Sequence, residues 1–81
     1  MPVGKRVAEA ALALVEPLAG KLDGYFYFHG LRGGLLKQLG RYREAHEAFD
    51  RAIALATSPA EAAHIRQHLD SLQRDMAEAE K

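Results

Sequence analysis

Apolar residues recur at helical spacing in four successive segments, and no stretch alternates in the two-residue period of a strand. The first segment, about residues 5–18, carries Val7, Ala10, Ala11, Leu14 and Leu18. Pro17 and Gly20 mark its end, with Gly20 suited to a left-handed cap. The second runs over about 22–39, from an Asp23 N-cap to a stop at Gly40, and the third over about 42–56. Ser58, Pro59 and Glu61 form a start signal for the fourth, about 59–79: an N-cap, a proline at the first helical position and a capping-box acid. In that helix Ala62, Ile65, Leu69, Leu72, Met76 and Ala79 make one narrow stripe. Short turns between consecutive helices imply an all-α, antiparallel arrangement in a single domain over residues 1–81.

Composition narrows the function classes. The chain has 81 residues, no cysteine, and eleven basic against eleven acidic residues. A disulfide framework and a thiol nucleophile are absent, and zero formal charge argues against a broad phosphate-binding face. Uncharged stretches such as Ala10 to Val15 are far short of the roughly 20 residues of a membrane span. A small cytoplasmic domain that binds rather than catalyses is expected, with no cofactor and no metal.

The second and third segments carry a repeat pattern. Gly33, Gly40, Tyr42, Ala45, Phe49 and Ala52 fall where a tetratricopeptide (TPR) repeat has its small residue, its turn glycine and its Tyr-Ala-Phe-Ala series. Small residues there let paired helices approach, and the aromatics fill the space around them. His29, Arg32, Leu36 and Thr57 replace the Trp, Leu, Tyr and closing Pro of the usual pattern. The first helix then corresponds to the second half of a preceding repeat, and the fourth to a capping helix. An apolar face of the first helix is left uncovered, to be met by the rest of a longer protein or by a second copy.

The run Leu22 to Ala56 also resembles the TPR-like C-terminal extension of a group of extracytoplasmic-function-type RNA polymerase sigma factors. The resemblance rests on Tyr25, His29, Arg32, Leu35-Leu36, Leu39-Gly40-Arg41, Glu44-Ala45 and Ala60-Glu61, with Ala13 to Leu18 similar to the segment before them. Gly33-Gly34 stands where that family more often has Ala and an acidic residue. Nothing in the chain corresponds to the promoter-binding or polymerase-binding regions. What the resemblance implies is an accessory, regulatory protein-contact region, its partner being the rest of a sigma factor, RNA polymerase or a regulator.

Particular residues sharpen these expectations. On a wheel of about 100° per residue, Tyr25, Phe28, Leu35, Leu36 and Leu39 form the core face of the second helix, with Arg32 at its centre. A guanidinium buried there requires an ion pair, expected with Glu61 ahead of Glu16 or Asp50. Phe26, Gly30 and Gly33 are placed on the flank toward the first helix. Tyr27, Gly34, Lys37 and Gln38 point away from the core and make the candidate partner groove: a glycine floor, an aromatic edge and a lysine for an acidic group. His64 and His68 are one turn apart, but two ligands are too few for a catalytic metal, so both are expected as surface residues. His29 and His46 border their core faces as packing residues, and His29 is also a candidate hydrogen-bonding neighbour of Arg32. Arg41, Arg43, Glu44, Glu47, Asp50 and Arg51 are expected as a solvated face. Two rival functions remain: a helix-turn-helix over Leu36 to Phe49, with no basic face to support it, and a small metal-dependent enzyme.

Overall fold

The computed structural model describes residues 3–80, and among them every regular element is helical. The chain is all-α. Helix α1 (Val3–Val15) continues through a 3₁₀ turn (Glu16–Leu18) into a single helical turn, α2 (Ala19–Leu22). Then come α3 (Phe26–Gln38), α4 (Tyr42–Leu55) and α5 (Pro59–Ala79). Among the described residues no helix is long and apolar enough to cross a membrane.

The first two boundaries differ from the sequence expectation. Pro17 has no N–H to continue the α ladder, and the chain tightens into a 3₁₀ turn instead of stopping. Gly20 therefore stays in the right-handed region inside α2; among the described residues the only positive φ is that of Gly40, at 75°. Asp23 is not the N-cap of α3. That position belongs to Tyr25, which is extended and makes no side-chain cap bond, so α3 starts at Phe26. Tyr25 is consequently outside the helix and exposed, because a wheel drawn through it does not apply.

Local chemistry accounts for the other boundaries. After α3 the Arg41 N–H donates to the Leu36 carbonyl (2.9 Å) and the Gly40 N–H to that of Lys37 (3.0 Å). This paired closure needs a left-handed residue, which Gly40 supplies at little cost. At α5 the Ser58 hydroxyl accepts from the Glu61 N–H (3.2 Å), while the Glu61 carboxylate accepts from the Thr57 N–H (2.9 Å) and hydroxyl (3.2 Å).

The core lies around α4, which packs α3 on one side and α5 on the other. Phe49, Leu36, Ile65 and Leu72 are its largest fully buried side chains, and Ala45, Ala48 and Ala52 are buried between the helices. Close approach is enforced at Gly33: a Cβ there would lie 2.6–2.9 Å from three atoms of the Phe49 ring. Gly33 thus faces α4, not α1, and Gly30 faces Ile65 of α5. Helix α1 packs chiefly on α3, through Ala8 and Leu12.

Candidate functional site

Because α3 and α5 flank α4 but barely meet each other, a groove runs between them. Its deeper end is a hollow of about 260 Å³ lined by Phe26, Tyr27, Gly30, Leu31, His64, Ile65 and His68. Its other end, about 290 Å³, is lined by Gly34, Lys37, Gln38, His68 and Asp75. His68 belongs to both, so the two hollows form one strip. A Cβ at Gly34 would meet nothing within 4 Å, which makes that position an open floor.

The four expected groove residues lie along this strip, Tyr27 at one end and Gly34, Lys37 and Gln38 at the other. Lys37 is already engaged: its Nζ donates to the Ser71 hydroxyl (2.6 Å) and lies 3.6 Å from the Asp75 carboxylate. A ligand carboxylate would have to compete with Asp75 for it. Tyr27 is largely exposed, and its hydroxyl lies 3.5 Å from Glu61, too long for more than a weak bond.

Sequence reasoning placed His64 and His68 on the surface and missed that they form the far wall. His68 stacks on the Phe49 ring (centroids 5.3 Å, 14°) and meets His64 edge-on at 4.8 Å. Burial, and after it the neighbouring His64 and Lys37, pushes the His68 imidazole below the usual histidine range, which keeps it neutral at pH 7. The groove is therefore apolar at the end beside Phe26 and Ile65 and polar at the end where Lys37 is compensated by Asp75, with the stacked His68 ring between them. Among the described residues no three His, Cys, Asp or Glu side chains converge in a metal-binding arrangement.

The expected Arg32–Glu61 pair does not form. Arg32 Nε donates instead to Glu16 at 2.6 Å, with both side chains partly exposed. Glu61 is consumed by its own helix cap, and Asp50 pairs with His46 at 3.2 Å. A partly exposed pair of this kind is worth no more than about 1 kcal/mol, so it orients α1 on α3 more than it stabilises the fold. His29 is buried and donates through Nε2 to the Asp23 carbonyl (2.7 Å), which satisfies it as a packing residue.

Two further exposed arginines are matched by carboxylates. Arg41 makes a two-point contact with Glu44 (2.9 and 2.6 Å), whose hydrogen bonds hold the Glu44 carboxyl below its usual range. Arg51 reaches Asp23 at 3.1 Å.

No family model and no solved structure matches the chain. It is 67% identical over 76 residues to an uncharacterized protein of Rhizobium meliloti (strain 1021). That match covers 90% of this chain but 18% of the relative, so the chain spans less than a fifth of the relative's length.

Proposed function

We propose that the chain is a non-catalytic protein-interaction module, TPR-like in build, and the accessory or regulatory part of a sigma-factor-like transcription regulator acting in the cytoplasm. The α3–α5 groove carries this reading: a side-chain-sized apolar slot beside a glycine floor, held on a rigid helical hairpin. Support for the repeat build comes from Gly33, Ala45, Phe49 and Ala52, which meet in the hairpin, and from Gly40, which turns it. Support for the transcription setting comes from the resemblance of residues 22–56 to the sigma-factor extension. Zero formal net charge, and the matching of Arg41 and Arg51 by carboxylates, disfavour a DNA-reading face.

The test is binding of the isolated chain to core RNA polymerase and to the conserved domains of a sigma factor, with Gly34→Gln as the probe variant. The open space at Gly34 lets a side chain enter the groove without touching the core. Binding that weakens at least about tenfold in Gly34→Gln, with melting no lower than that of the unsubstituted chain, is the expected result. Absence of binding to either probe, or indifference to the substitution, refutes it.

A further inference from the structure

The strongest observation outside the groove is on α1. Val7 and Leu14 of α1, and Leu18 in the 3₁₀ turn that continues it, are 61%, 75% and 43% exposed, although Ala8 and Leu12 of α1 are buried on α3. With Ala11, itself half-buried against the core, they are spaced four, three and four residues apart, which is the spacing of a two-stranded coiled-coil seam, carried by α1 as far as Leu14 and by the 3₁₀ turn at Leu18. The helix therefore carries two apolar stripes, one closed by α3 and one bare.

We propose that the bare stripe is covered by a second copy of this chain, through an antiparallel α1–α1 pair about a two-fold axis. Under that operation Val7 lies across from the second copy's Leu18, and Ala11 across from its Leu14. Each large side chain then meets a smaller one, so a single stripe is complementary to itself, which a two-fold interface requires. Charge does not oppose the pairing. On the wheel Lys5 and Glu9 fall on the side of α1 away from the stripe and Arg6 on its flank, while Glu16, at the start of the 3₁₀ turn, is held by Arg32. The chain carries no formal net charge, so two copies do not repel at long range.

Size is in range as well. The stripe borders an apolar hollow lined by Val15, Leu22, Tyr25, Tyr27, Phe28 and Leu31, of which both tyrosines and Leu31 are exposed. Together these exposed residues present on the order of 600 Å² per copy, near the half-share of a small stable interface. Tyr27 and Leu31 also line the groove between α3 and α5, so the dimer face shares those two side chains with it, while Val7, Leu14, Leu18 and Tyr25 do not line it.

Sedimentation equilibrium of the full chain at up to about 500 µM is the direct measurement, since that range detects dissociation constants up to the high micromolar. A reversible dimer is expected. Leu14→Lys, exposed in the single chain, keeps the helical circular dichroism and raises the dissociation constant at least about tenfold. Register is read by disulfide formation, which is clean because the chain has no cysteine. Val7→Cys mixed with Leu18→Cys cross-links the two variants to each other, and neither does so comparably by itself. A chain monomeric at the highest concentration, as expected if another protein is the natural occupant, overturns the proposal. So does a dimer indifferent to Leu14→Lys, or cross-linking within each variant separately, the mark of parallel helices.

Discussion

The flank of α3 that meets α4 is closed around glycine and alanine, whereas the flank turned toward α5 is open. Gly33 and Gly34 are adjacent in sequence and belong one to each. At Gly33 a methyl group would press on a Phe49 ring that has no exposure and nowhere to go; at Gly34 it would meet nothing. The same residue type thus serves dense packing on one side and a vacant floor on the other. Stability is concentrated at the first flank, leaving the second available for contact with another molecule.

Substitution by alanine separates the two flanks most sharply. Gly33→Ala is expected to destabilise by about 1–2 kcal/mol, since overpacking against Phe49 outweighs the gain in helix propensity. In a domain this small that lowers the melting temperature by roughly 5–15 °C. Gly34→Ala is expected to act with opposite sign, stabilising by about 0.5–1 kcal/mol because it carries the propensity gain without the clash. Thermal melts of both variants check the pair; equal effects at the two positions would mean the flanks do not differ as described.

A smaller effect comes from His68, which touches both flanks by stacking on Phe49 and lining the groove. Its folded-state pKa lies below the usual histidine value, through burial first and then His64 and Lys37. The folded chain therefore holds that proton more weakly than the unfolded chain. Stability is full above the unfolded value, near 6.5, and falls as pH drops through it toward the lower folded value. Denaturant midpoints measured between about pH 7.5 and 5.5 should decline, and His68→Phe, which keeps a ring on Phe49, should flatten the decline. A slope unchanged in His68→Phe assigns it to other groups.

Much of the fold was legible because its signals are local. Ser58-Pro59 and Gly40 act through hydrogen bonds within a few residues, and the apolar stripe of α5 buries Ile65 and Leu72. Failures arose where two local roles compete or a partner lies far along the chain. Glu61 was assigned both a capping box and the ion pair with Arg32; the cap, formed with its own neighbours, won. Glu16 became the partner of Arg32 because the packing of α1 on α3 sets the first residue of the following 3₁₀ turn beside that guanidinium. His64 and His68 entered the groove through the rotation of α5 about its own axis, which no spacing within α5 discloses.

Helical class, the turn at Gly40, the capped start of α5 and the alanine-lined contact of α3 with α4 follow from the order of residues, since each depends on backbone preference or on a short-range repeat. Which carboxylate meets Arg32, which imidazoles wall the groove and which stripe of α1 stays bare depend on how whole helices settle against α4 and α3. Those outcomes are collective, because close packing admits one rotation of each helix and a helix's own sequence supports several.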